Sequence, residues 1–164
     1  MIATAVAFYD VITFVHVSAV VVGFGPTYAY AVFAAVASRD SLRGSLAVAR
    51  GIVAWNRVAL NIAMVLILVT GLYLAGERWD FSEFFISWGL VAILLLFGLA
   101  HGYFGPRERQ MVEILEEEVA AGRGESTDAP DRFSAIETQV DRMGGIAGLV
   151  VLLTIYVMTA KPFL

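Results

Sequence analysis

The sequence contains no cysteine, and only 16% of its 164 residues carry a charge. The missing thiols exclude disulfides, cysteine-ligated zinc, iron–sulfur clusters and thiolate ligation of haem. Soluble domains carry about a quarter charged residues, whereas 59% of these residues are hydrophobic. The net charge of -4 gives no indication of a nucleic-acid partner. The composition therefore predicts an integral membrane protein whose main partner is the lipid bilayer.

Several motifs of soluble enzymes and of membrane β-strands are also missing. The apolar runs hold no paired carboxylates, and no P-loop, GxGxxG or Ser/His/Asp pattern is present. No window alternates with a period of two, which excludes a β-barrel. Hydrolase and nucleotide chemistry are therefore not expected.

Long apolar runs are what the sequence does contain. A spanning helix needs roughly 20 mainly apolar residues, and four runs reach this length, at about 7–37, 58–76, 83–104 and 144–160. They predict an all-α fold, a four-transmembrane-helix bundle forming a single membrane domain over 1–164. The N-terminus lacks the basic region of a signal peptide, so the first helix is expected to be retained.

The basic residues alternate along the chain and predict its orientation. Nine of the 11 lysines and arginines lie in the connections 38–57 and 105–143. Because positive charge collects on the cytoplasmic side, both connections are expected in the cytoplasm and both termini outside. The predicted topology is N-out/C-out in a cytoplasmic (inner) membrane.

Both connections are expected to contain helix. Arg43, Arg50 and Arg57 recur every seven residues, which indicates a basic helical stripe in 38–57. The stripe could anchor the chain along the headgroups or bind an anionic ligand. The connection 105–143 shows apolar residues at spacings of three and four, which predicts a short cytoplasmic helical hairpin between helices three and four.

Three glycines open the fourth predicted helix, Gly144, Gly145 and Gly148. Small residues at this spacing permit close contact between membrane helices. The contact could lie within the bundle or between two copies of the chain, so a homo-oligomer stays among the expectations.

A single histidine, His16, interrupts the first apolar run. Ionisable residues within a span are costly and mark functional sites. Tyr9, Thr13 and Gly23 share its helical face, and the glycine would leave room for a flat macrocycle. Because neutral imidazole is the usual ligand of haem iron in helical proteins, the pattern indicates a haem ligand. The alternative is a histidine that hydrogen-bonds a neighbouring helix.

His101, near the inner end of the third predicted helix, is the second candidate metal ligand. It could instead bond the carbonyls at the helix end. By helical rise His16 lies about 10 Å from the outer face and His101 roughly 25 Å. A gap on the order of 15 Å disfavours one haem bound by both imidazoles, so separate roles are expected, with a shared haem as the alternative.

Three polar residues are candidates for contacts with a cofactor. Arg78, in the outer turn, could pair with a haem propionate or simply be solvated there. Arg57 and Asn61 lie one turn apart at the start of helix two, where a polar pair is expected to face the bundle. They could hydrogen-bond His101 or hold a carboxylate.

Several of these residues carry a resemblance to known families. The run 16–27, HVSAVVVGFGPT, together with Arg57, the triplet 71–73 (GLY) and 100–104 (AHGYF), resembles a family of predicted bacterial four-helix integral membrane proteins. The chain is also distantly similar to copper-resistance D domain proteins and to HemJ-type protoporphyrinogen oxidases that bind haem b. The latter similarity implies that His16 ligates haem.

Three functions are therefore open. The first is a haem b protein with a redox, electron-transfer or haem-handling role, and a haem-dependent membrane oxidoreductase is one form of it. The second is a copper-handling or transport protein that uses His16 and His101. The third is a non-catalytic subunit whose cytoplasmic hairpin docks a redox or other membrane partner protein.

Overall fold

The computed structural model describes residues 7–162, and this part of the chain is helical throughout apart from short turns. Four helices are long and apolar enough to cross a membrane. They are α1 (Phe8–Asp40), α2 (Leu42–Arg78), α3 (Phe84–Arg123) and α4 (Asp131–Ala160). The predicted all-α, four-helix architecture is therefore confirmed.

We name the two ends of the bundle by the predicted orientation. The inner end holds the α1–α2 and α3–α4 connections, and the outer end holds the turn between α2 and α3. That the inner end faces the cytoplasm, in an inner membrane, stays a prediction from the arginine distribution.

The helices extend further at the inner end than the apolar runs indicated. Ser41 alone separates α1 from α2, so most of the expected connection 38–57 is helix that continues into the second span. The expected hairpin is likewise an extension of α3 and α4, joined by a loop at 124–130. A search for apolar runs does not find the polar ends of helices, because it detects only the apolar residues that a membrane-spanning segment needs.

Three of the long helices change their winding once or more. In α1 a 3-10 segment, Gly25–Ala29, contains Pro26, which has no N–H to donate. In α2 and α3 the π-helical turns Asn56–Leu60 and Ala100–Phe104 lie near the inner end. Single π-turns within α-helices are frequent at functional sites.

The α3–α4 loop is bound to the start of α2. The amides of Leu42 and Arg43, which no helical carbonyl can satisfy, donate to the carbonyls of Ser126 at 2.8 Å and Gly124 at 2.9 Å. The Ser41 hydroxyl accepts from the third amide of the helix at 3.0 Å. The loop therefore fixes the inner connection in place.

Three clusters of buried side chains are stacked along the bundle. The outer cluster contains Ala75, Phe85, Ile86 and Val157. The middle cluster contains Phe24, Leu60, Met64, Ile93, Leu96 and Val151. The inner cluster contains Leu42, Leu46, Ile114, Leu115 and Phe133. Only the inner cluster is built from the charged helix extensions, so it resembles the core of a water-soluble domain.

One of the three glycines of α4 lies at a contact between helices. Tyr28 of α1 donates a hydrogen bond to the Gly148 carbonyl at 3.0 Å, while an added Cβ at Gly144 or Gly145 would meet nothing within 4 Å. Oligomer formation through this face stays a prediction.

Candidate functional site

His16 lies on the side of α1 that faces α2, in the outer half of the bundle. Its Nδ1 is 2.8 Å from the Thr70 hydroxyl oxygen, and the Ile67 carbonyl is a further acceptor near the ring. The imidazole is half-buried and Thr70 is buried. The alternative given for His16, a hydrogen bond to a neighbouring helix, is therefore present, and it is made with α2.

The Thr70 hydroxyl determines which imidazole nitrogen carries the proton. This hydroxyl has one hydrogen, and it donates that hydrogen to the Leu66 carbonyl at 2.5 Å. With its hydrogen on this carbonyl, the hydroxyl accepts from His16, and we assign the neutral ring the tautomer that is protonated at Nδ1. The lone pair that binds a metal ion consequently lies on Nε2.

Two glycines allow α1 and α2 to approach closely around His16. A Cβ at Gly71 would lie 3.2 Å from the histidine Cε1, so the ring occupies the space that a side chain would fill. A Cβ at Gly23 would lie 2.5 Å from the Cβ of Ala63. The free space expected beside Gly23 is therefore occupied by α2.

The remaining residues of the expected outer site are held in local contacts. The Arg78 guanidinium lies 3.9 Å from the centre of the Tyr9 ring, within the range of a cation–π contact. The Thr13 hydroxyl donates to the Tyr9 carbonyl at 2.9 Å. The contact between Tyr9 and Arg78 thus joins the outer ends of α1 and α2, on the outer side of His16.

The carboxylate of Asp80 lies beyond the Tyr9–Arg78 contact, in the turn between α2 and α3. The Ser82 amide donates to Asp80 at 2.8 Å, and this hydrogen bond holds the pKa of the carboxyl group below its usual value. The outer turn therefore carries a negative charge at neutral pH.

His101 is in a different environment from His16. Its side chain is exposed, its Nδ1 is 2.9 Å from the Phe97 carbonyl of its own helix, and its ring stacks on Phe97 with centroids 4.3 Å apart. The alternative anticipated for a helix-end histidine, a bond to a local carbonyl, is what the geometry contains. Neither Arg57 nor Asn61 hydrogen-bonds it.

The two histidines lie at different depths. Tyr30 and Glu108 both hydrogen-bond to Asn56 and so mark one level of the bundle. His16 lies fourteen residues from Tyr30, and His101 lies seven residues from Glu108. At 1.5 Å per residue these offsets are about 21 Å and about 10 Å. The difference of about 10 Å exceeds the roughly 4 Å between two ligands of one metal.

The two residues of the expected polar pair on α2 have different environments. Arg57 is exposed. Asn61 donates to the Asn56 carbonyl at 3.0 Å and to the Arg57 carbonyl at 3.1 Å. The amide of Asn61 therefore satisfies carbonyls of the π-turn of its own helix, which an apolar environment requires. The expectation that the pair faces inward is therefore wrong for Arg57, and for the half-buried Asn61 it stays a prediction.

A second polar contact, across three helices, was not anticipated. Asn56 accepts a hydrogen bond from the Tyr30 hydroxyl at 2.9 Å and donates one to the Glu108 carboxylate at 2.8 Å. Asn56 begins the π-turn of α2, and Glu108 follows the π-turn of α3. Sequence offers one signal for it, since each residue is a polar interruption at the inner end of an apolar run.

The Tyr30–Asn56–Glu108 contact borders a small cavity of about 90 Å³ at the inner end. Glu137 and Asp141 of α4 also line this cavity, and its wall contains no lysine or arginine. Within residues 7–162, no group of three or more His, Asp or Glu side chains has the spacing of a metal site.

Comparison with known proteins identifies the family. Residues 10–162 match the family described as "Predicted integral membrane protein (DUF2269)". The match covers nearly the whole chain, so the protein belongs to this family of integral membrane proteins. No curated protein and no solved structure matches the chain.

Proposed function

We propose that this membrane protein binds haem b through Nε2 of His16 and serves a redox or haem-handling role. One observation carries the proposal, namely the hydrogen bond of 2.8 Å between Nδ1 of His16 and the Thr70 hydroxyl. Histidines that ligate metals commonly donate their other ring N–H to an oxygen, which fixes the tautomer and raises the basicity of the ligating nitrogen. A Thr70 hydroxyl that donates to the Leu66 carbonyl is free to accept a hydrogen bond from His16, which supports this assignment.

The donor set of this chain fits a haem better than a bare metal ion. A haem iron takes four nitrogens from its macrocycle and needs only one or two side chains from the protein. A copper or zinc ion needs three or four protein ligands. His16 is an isolated ligand, so a cofactor that brings its own nitrogens is the more consistent choice.

The residues of α2 would hold the ligand while the haem supplies electron transfer or oxygen chemistry. The Thr70 hydroxyl orients the imidazole, and the missing side chain of Gly71 leaves room for the ring against α2. Arg78, over the ring of Tyr9 at the outer end, is a cation within reach of solvent and stays the candidate partner for a propionate. His16 would be the one histidine of this chain to hold the haem, because His101 lies at a different depth and its side chain is exposed.

Hemin titration of the purified protein tests the proposal. We expect a Soret band that saturates at one haem per chain and is lost in His16→Ala. His101→Ala is the matched control and should retain the band. Circular dichroism spectra of both variants verify the helical content. A protein that stays colourless during titration, or a His16→Ala variant with the full spectrum, would contradict the proposal.

Elemental analysis of the same preparations separates the copper alternative. We expect less than stoichiometric copper in protein purified from copper-supplemented cells. A colourless protein that retains one copper per chain, lost on replacement of His16, would replace haem with copper in this account.

A further inference from the structure

A groove of about 760 Å³ lies at the inner end between α2 and α3. Arg50 and Arg57 line it from α2, and Arg109 lines it from α3. Two of these arginines belong to the seven-residue stripe, which the proposed function does not use. The groove is separate from His16, since it lies at the opposite end of the spans.

Within the described residues, the groove holds more arginines than acids, and Arg57 is the one whose guanidinium is left without an acidic partner. Arg50 is paired with Glu116 at 2.7 Å. Arg57 is in no ion pair with a described carboxylate. Arg109 lies close enough to Glu108 for the two charges to interact, and its Nε donates to the Gly105 carbonyl at 3.1 Å. The lining holds Arg50, Arg57 and Arg109 together with Glu113 and Glu116, so its arginines exceed its acids by one.

The position of the groove along the bundle matches that of phospholipid headgroups. Arg57 follows Asn56, which marks the level where the apolar part of α2 begins. The apolar part of α3 ends just above Gly105, and Arg109 lies one turn beyond it. A bilayer of about 30 Å hydrocarbon thickness that covers the spans therefore places its inner headgroups at the groove.

An apolar face leads from the groove into the span. Val58 lines the groove and is 57% exposed, and Ile62 and Val65 follow at helical spacing with 57% and 51% exposed. Such a face accommodates an acyl chain directly below the headgroup. A free phosphate ion would make no use of it, so the geometry favours a lipid as the occupant.

We propose that this groove binds the phosphodiester headgroup of an anionic phospholipid, held by Arg57 and Arg109 with an acyl chain along Val58 and Ile62. Basic pockets between membrane helices on the cytoplasmic side bind anionic headgroups in this manner. Guanidinium groups suit the task, because their donors match the geometry of phosphate oxygens.

The test is native mass spectrometry of the full chain released from nanodiscs of mixed phosphatidylglycerol and phosphatidylcholine. We expect the retained lipid to be enriched in phosphatidylglycerol. The enrichment should fall roughly fivefold for each groove arginine removed, in Arg57→Gln and in Arg57→Gln/Arg109→Gln. If the double variant does not accumulate, the single variant tests the proposal, since the Arg57 side chain has no hydrogen bond or ion pair within residues 7–162.

The matched control is Arg39→Gln/Arg142→Gln, which removes two exposed charges from the inner end outside the groove. It should keep the enrichment. An equal loss in both double variants would overturn the proposal in favour of general surface charge. Enrichment abolished by added inorganic phosphate would assign the groove to a soluble anion, which also overturns it.

Discussion

Polar side chains have different kinds of partners at the two ends of this bundle. In the outer half one imidazole meets one hydroxyl, His16 with Thr70, inside closely packed apolar helices. At the inner end, polar groups are connected across helices by the Tyr30–Asn56–Glu108 contact and by ion pairs such as Arg50–Glu116. We therefore interpret the isolated His16–Thr70 contact as the candidate site and the connected contacts at the inner end as structural.

The forces that stabilise the two ends also differ. Within the bilayer, lipid chains are as apolar as the side chains, so helices associate by close packing and a few hydrogen bonds. The inner cluster lies on charged helix extensions, where water is the solvent and the hydrophobic effect acts in full. We expect substitutions to follow this division.

The largest effect is expected from a cavity in the inner cluster. Leu115 is completely buried there, and Leu115→Ala should lower the free energy of unfolding by about 2–5 kcal/mol. Denaturant titration in micelles, followed by circular dichroism, measures this. Leu149, which is 68% exposed on α4, gives the control Leu149→Ala. Equal losses in both variants would contradict a water-facing inner core.

The next largest effect is expected at Asn56. Asn56→Leu removes both hydrogen bonds and leaves the Tyr30 hydroxyl and the Glu108 carboxylate without this partner. We expect a loss of about 1.5–3 kcal/mol in the free energy of unfolding, since one of the bonds is to a carboxylate. Asn61→Leu, which removes only bonds within α2, is the control and should cost less. A larger loss in Asn61→Leu than in Asn56→Leu would show that the hydrogen bonds between helices contribute no more to stability than those within α2.

A smaller effect is expected from Thr70→Val in the outer half. Hydrogen bonds between membrane helices contribute about 0.6 kcal/mol on average, with a maximum near 1.7. Thermal unfolding should detect the loss, and Thr70→Ser should restore stability because it keeps the hydroxyl. If haem is bound, the valine variant should also weaken haem affinity by about ten- to a hundredfold, as removing such a partner does. An unchanged affinity would mean that Thr70 does not orient the ligand.

The smallest effect is expected from the exposed ion pair. The side chains of Arg50 and Glu116 are 59% and 45% exposed, so Arg50→Gln should change the free energy of unfolding by less than about 1 kcal/mol. The difference should shrink further in high salt. Glu118, whose side chain is only 7% exposed between Arg123 and Arg132, provides the contrast, and Glu118→Gln should cost more.

The sequence was sufficient for the helix count and for the presence of a polar contact at His16. Both follow from hydropathy and from the cost of an imidazole in a span, which are local properties. The partner of His16 could not be predicted, because Thr70 depends on the register between α1 and α2. That register is determined by the close approach of Gly23 and Ala63, which is a property of two surfaces together.

The exposure of Arg57 and His101 could not be predicted for a related reason. Each lies in or beside a π-turn, and a single π-turn rotates the following residues relative to an α-helical pattern. A face assigned by 3.6-residue periodicity is then displaced by a large fraction of a turn. The assignment of Arg57 to the bundle interior failed at this step.

The visible absorption spectrum of the protein, purified from native membranes without added hemin, tests the central claim most directly. The account predicts a Soret band in the wild-type protein and in His101→Ala, and its absence in His16→Ala. A colourless wild-type protein that remains so after expression with excess haem precursor would contradict the claim, and His16 would then be a packing residue bound to Thr70.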